Sequence, residues 1–93
     1  MIQIQATIPT DSPERYILRL CKHFSHRVPS QWSNGKGQVD FAMGQCWLSA
    51  QKSALSVLCQ AENPTDLEEI QETIKSHFDR FAQQEQLVLH WDT

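Results

Sequence analysis

The sequence contains four histidines, His23, His26, His77 and His90. An imidazole titrates near neutral pH, moves protons and ligates metals, so it carries the widest chemistry available here. His23 and His26 stand three residues apart, a helical spacing that brings two side chains near one ligand. At about 100° per residue, His23 falls about 60° from the centre of an apolar stripe formed by Tyr16, Ile17, Leu20 and Phe24. His77 takes the same-handed flank of a second stripe, Leu67, Ile70, Ile74, Phe78 and Phe81. In an antiparallel helix pair such flanks meet in one seam or both face outward. His23, His26 and His77 are therefore candidate ligands for iron or zinc. Axial position opposes sharing: His23 is in a last helical turn and His77 well past the middle of its helix. The expected offset is on the order of 10 Å, whereas a metal holds each nitrogen at about 2 Å. Cys21 lies about 160° from His23 on the wheel and completes no site. The alternative is a set of edge-of-core histidines bonded to backbone or carboxylates.

Charge is patterned as well. Arg15, Arg19, Lys22 and His26 line the outer side of the first helix, and Arg19 and Lys22 are candidate anion contacts. Asp66, Glu68, Glu69 and Glu72 load the start of the second. With the helices antiparallel, the basic end of one is expected to meet the acidic start of the other. The plainer reading is a solvated face with a few ion pairs, each worth at most about 1 kcal/mol. Three cysteines do not make a disulfide framework. Cys46 and Cys59 nevertheless fall opposite each other in the expected hairpin, open to a redox-labile bridge or to use as small buried hydrophobes. Asn34-Gly35-Lys36-Gly37 lacks the spacing and following helix of a phosphate loop. Cys-x-x-Cys pairs, dinucleotide glycine fingerprints and nucleophile elbows are also lacking, so catalysis has no support in the sequence.

These side chains are placed by a short alternating pattern of elements. Ile2, Ile4, Ala6 and Ile8 alternate with polar residues, the period of a half-buried strand. Ser12-Pro13 starts a helix expected to run to about Arg27, before Pro29 stops it. Val28–Trp32 is the next strand, closed by the turn Ser33–Gly37. Val39, Phe41 and Met43 lead into a hairpin with its turn expected at Gly44-Gln45, pairing Met43 with Cys46, Phe41 with Leu48 and Val39 with Ala50. A strand through Leu55, Val57, Cys59 and Ala61 follows, its inward pairs being Leu48 with Val57 and Ala50 with Leu55. Asn63-Pro64 opens the second helix, and Leu87, Leu89 and Trp91 are expected to close the chain as a strand.

The order β-α-β-β-β-β-α-β implies a single α+β domain over residues 1–93. It should be a two-layer sandwich, with two helices on one face of a mainly antiparallel sheet. The other face would be open, and an exposed surface of Trp47, Leu58, Val88 and His90 is a candidate interface for a partner or a second copy. With 40% hydrophobic and 20% charged residues the composition is that of a folded soluble domain. A net charge of −3 argues against nucleic-acid binding. No apolar run suits a membrane helix or a signal peptide, so a cytoplasmic location is expected.

Three stretches resemble a family of short bacterial proteins of unknown function, DUF 2218: Arg15-Tyr16 through Leu20–Arg27, His77–Ala82 and Leu89-His90-Trp91. The resemblance spans essentially the whole chain. It implies a small cytosolic domain without an assigned activity and carries over no catalytic residue. It also implies an association with siderophore-interacting flavoproteins, which turns the histidines toward iron handling. The expectation is a non-catalytic binding or accessory domain without a required cofactor. The alternatives are a histidine-based metal carrier and a homodimer joined through the open sheet.

Overall fold

The computed structural model describes residues 1–92. The elements are β1 (Ile2–Pro9), α1 (Pro13–Phe24), β2 (Ser30–Ser33), β3 (Lys36–Phe41), β4 (Gly44–Gln51), β5 (Ala54–Ala61) and α2 (Pro64–Phe81), followed by a 3-10 turn at Gln83–Glu85. The five strands form one antiparallel sheet in the order β1-β5-β4-β3-β2. Both helices cover one face, and the α+β sandwich read from the sequence is the architecture found. α1 therefore carries the chain from one edge of the sheet to the other, and three hairpins bring it back beside β1.

One core joins the layers. Ala6 and Ile8 of β1, Val39 of β3, Cys46 and Leu48 of β4, and alternate residues Leu55 to Ala61 of β5 are all buried. α1 closes on them with Tyr16, Ile17, Leu20, Cys21 and Phe24, and α2 with Leu67, Ile70, Ile74 and Phe78. The β4–β5 register is the expected one, with Leu48 opposite Val57, Ala50 opposite Leu55 and Cys46 opposite Cys59. The Asn63 side chain caps α2, its oxygen accepting from the Asp66 amide at 2.9 Å.

Four boundaries differ from the sequence reading, each for a local reason. α1 ends at Phe24 rather than near Arg27: Ser25 Oγ donates to Lys22 O at 2.7 Å, and the next amides turn to carbonyls three residues back, His26 N to His23 O and Arg27 N to Phe24 O, while Ser30 Oγ adds a bond to Cys21 O at 2.8 Å. β2 accordingly starts at Ser30, not Val28. The β3–β4 turn is Ala42-Met43, so Val39 pairs with Cys46 and Phe41 with Gly44. Pairing moves by an even number of residues, and every side chain keeps its expected face. Gly44 is demanded by packing instead of by a turn: a Cβ there would lie 2.2 Å from Gln60 O and 2.7 Å from Ile70 Cδ1. Finally, 87–92 forms no strand. Leu89 is still fully buried, but its backbone bonds go to α2, with its N–H donating to Asp79 Oδ1 at 3.0 Å and its carbonyl accepting from Lys75 Nζ at 2.9 Å. The Lys75–Asp79 pair does the work of a neighbouring strand, and a single bond, Asp92 N to Gln5 O at 2.7 Å, ties the segment to β1.

Candidate functional site

The two helices run antiparallel, and four contacts fix their register. Arg15 meets Glu85 at 3.6 Å, Tyr16 meets Phe78 with ring centroids 5.2 Å apart, and the Arg19 guanidinium lies 4.8 Å from the Phe81 centroid. The fourth is His23 on His77, with ring centroids 4.7 Å apart and planes tilted by 45°. The expected offset of these two histidines is thus corrected. That estimate assumed helices aligned flush at their ends. In fact α1, with 12 residues, pairs with the C-terminal part of the 18-residue α2, whose first turns project past Phe24.

The same register overturns the expected meeting of basic and acidic helix ends. Asp66, Glu68, Glu69 and Glu72 belong to the projecting part. Among the described residues the ion pairs are Arg15–Glu85 and Lys75–Asp79, and neither involves the middle of the seam.

The seam is built from aromatic faces. His23 packs edge-on to Phe24 and Phe81, at 5.4 and 5.6 Å between centroids. Phe24 is buried and stands edge-on to His77 at 5.0 Å and to Phe41 at 5.4 Å, so the histidine pair rests on the core itself. His77 Nδ1 is 2.7 Å from Thr73 O. A carbonyl only accepts, so the proton sits on Nδ1 and the lone pair of the neutral ring on Nε2. His23 is held below its ordinary value of 6.5, first by partial removal from water and then by His77, Arg27, His26 and Arg80. Two of these neighbours are guanidinium cations and two are imidazoles, and no carboxylate among the described residues offsets them.

Of the sequence candidates, the structure brings together His23, His77 and Arg19. His26 and Lys22 are exposed beside them, outside the stack. Arg27, Arg80, Phe24 and Phe81 belong to the same site and were missed. The available signal was spacing, since Arg80 follows His77 by three residues and Arg27 follows His23 by four. Among the described residues no three His, Cys, Asp or Glu side chains converge as a metal set.

The thiols of Cys46 and Cys59 are fully buried and form no disulfide; Cys59 Sγ donates a hydrogen bond to Cys46 Sγ at 3.7 Å. Cys46 is raised well above the usual thiol range by its bond to Cys59 and by burial, and burial pushes Cys21 up to about 11. All three are fully buried and serve as packing groups. On the other side of the sheet, Trp47 and Leu58 stand directly opposite on β4 and β5, both half-buried. Val88 and His90 do not join them. They project from the irregular closing segment at the β1 edge, because that segment is not a strand.

A family model for an uncharacterised protein conserved in bacteria, DUF2218, matches residues 5–92. The chain belongs to the DUF2218 family. The match takes in α1, α2 and the closing segment, and hence every residue of the seam. The chain is similar to the NMR structure of PA4090 from Pseudomonas aeruginosa, with a TM-score of 0.82 and 27% identity over 99% of this chain and 96% of that one. The two chains share one fold over nearly their whole lengths. No curated protein matches, and no helix among the described residues is long and apolar enough to cross a membrane.

Proposed function

We propose that this DUF2218 chain is a non-catalytic binding domain whose site is the histidine seam and whose ligand is a small anion bearing phosphate or carboxylate groups. One observation carries the reading: Arg19, Arg27 and Arg80 gather around the His23–His77 stack with no acidic partner among the described residues. Three of the eight Lys and Arg side chains are thereby concentrated at one place in a chain of net charge −3. Unpaired cations close together repel, and an anion relieves the repulsion while accepting charge-assisted hydrogen bonds from the guanidinium groups. The stacked imidazoles add donors when protonated and aromatic surface when neutral. A cytoplasmic location belongs to the same proposal, supported by three free thiols that persist where disulfides are rare.

The test follows the imidazole C–H resonances of His23 and His77 by NMR during titration with pyrophosphate and, separately, citrate. Bound anion favours the protonated ring, so the His23 midpoint should move upward. Arg80→Gln with Arg27→Gln should weaken binding about tenfold or more. Histidine resonances indifferent to both anions at millimolar concentration would remove the reading.

A second reading, metal binding, has one observation in its favour. His77 Nδ1 is fixed by Thr73 O, leaving Nε2 oriented as second-shell bonds orient metal-ligating histidines. The surrounding cations oppose bare zinc or ferrous ion, so under this reading the metal enters as an anionic iron chelate. A siderophore-interacting flavoprotein would then be the fitting partner. Ferric citrate broadening His77 where free citrate leaves it sharp would support this second reading over the first.

A further inference from the structure

The sheet face turned away from the helices has a symmetry in its side chains. Its central row runs Gln5, Leu58, Trp47, Gln38 across β1, β5, β4 and β3, each opposite the next. One step along the strands to one side stands a row of glutamines, Gln3, Gln60 and Gln45, ending in Asp40. The corresponding step to the other side gives short hydroxyls, Thr7, Ser56 and Ser49, ending in Lys36. Lys36 and Asp40 are the charged residues that alternation puts on this face, both on β3 and equally far from the central row.

We propose that this face is the interface of a homodimer whose two-fold axis lies along the Leu58–Trp47 row. Rotation about that axis lays β3 over β3 of the second copy and exchanges the flanking rows. Lys36 then meets the second copy's Asp40, and the reverse, so the charged side chains on this face pair twice with opposite sign. The same rotation sets Gln60 over Ser56 and Gln45 over Ser49, long amides against short hydroxyls, which complements both shape and hydrogen bonding. Trp47 packs on its own counterpart at the centre, where interfaces concentrate aromatic side chains and exclude charge. Twisted sheets stack within about 30° of alignment, so the register is closest at the Trp47 centre and one strand out at β3.

Size places a second copy at the lower limit of specific interfaces. Five strands at about 4.8 Å spacing and six residues of length present roughly 450 Å² per copy, or about 900 Å² for the pair before side-chain relief is added. Specific interfaces clear about 1,000 Å².

Sedimentation equilibrium of the untagged protein tests both the dimer and its axis. A concentration-dependent dimer is expected. Lys36→Asp or Asp40→Lys alone puts like charges together twice and should raise the dissociation constant about tenfold or more. The exchange K36D/D40K restores opposite pairs and should return it to within about threefold of the original. Trp47→Glu should give a monomer, with a native circular dichroism spectrum showing that it folds. A wild-type chain that stays monomeric at its highest soluble concentration overturns the dimer. Single charge variants without effect, or weakened and not rescued by the exchange, overturn the axis.

Discussion

His23 shows how one residue ties stability to pH. Its folded pKa lies below the unfolded value of 6.5, because the folded ring is partly removed from water and faces His77, Arg27, His26 and Arg80. Between the two values the unfolded chain binds more protons than the folded one, so acid favours unfolding. The contribution is fully present above pH 6.5 and is lost as pH falls from there through the folded value. Because the ring is largely exposed, solvent screening keeps the effect small, a fall in Tm of about 2 °C or less between pH 7.5 and 5. His23→Gln should remove that increment of the pH slope in paired thermal melts, and saturating pyrophosphate should suppress it in the parent protein. A slope unchanged by H23Q would show that other groups set it. The flanks on which His23 and His77 sit were legible from their spacing. Their contact was not, because a wheel gives the angle of a residue about its helix but not where a neighbouring helix begins along it.

At the scale of elements, local pattern and packing demand separate cleanly. Alternation assigns an inward face to every strand, and Ser12-Pro13 and Asn63-Pro64 mark both helix starts, although only the Asn63 side chain makes the cap bond. Ends and turns were harder, because groups distant in sequence decide them. Ser30 anchors the chain after α1 by bonding Cys21 O, and Lys75 with Asp79 satisfies the backbone at Leu89, where apolar alternation alone predicts a strand. Gly44 stands where the pattern predicts a two-residue turn, but its role is close approach. Gly37 has a similar part: a Cβ there would stand 2.6 Å from Cys21 Sγ and 2.9 Å from Ile17 Cγ2, which shows how tightly α1 sits on β3. Gly37→Ala should therefore cost about 1–3 kcal/mol in urea unfolding, since side chains can partly give way. Gly44→Ala should cost more, because the Gln60 carbonyl it strikes is a ladder acceptor that cannot move without opening β5. Equal costs for the two would show that the approach at Gly44 relaxes freely.

For the molecule as a whole, the sheet separates two surfaces of opposite character. On the helix side is an aromatic seam whose central cations, Arg19, Arg27 and Arg80, have no acidic partner among the described residues. On the other is a nearly neutral field of amides and hydroxyls around Trp47. The core between them is continuous, with Phe24 under the histidines and Val39, Cys46 and Cys59 all fully buried within the sheet. Energetic coupling between distant sites requires an element with two arrangements that both sites bias. The described residues show a single close-packed sheet between these surfaces, with no buried polar side-chain atom left unsatisfied to mark an alternative arrangement. Anion binding and self-association should therefore be independent. Saturating pyrophosphate should leave the dimer dissociation constant within about twofold, and Trp47→Glu should leave the pyrophosphate affinity within the same factor, because linkage makes the coupling reciprocal. A larger change in either measurement must appear equally in the other. It would identify the sheet as a transmitting element between the seam and the dimer face.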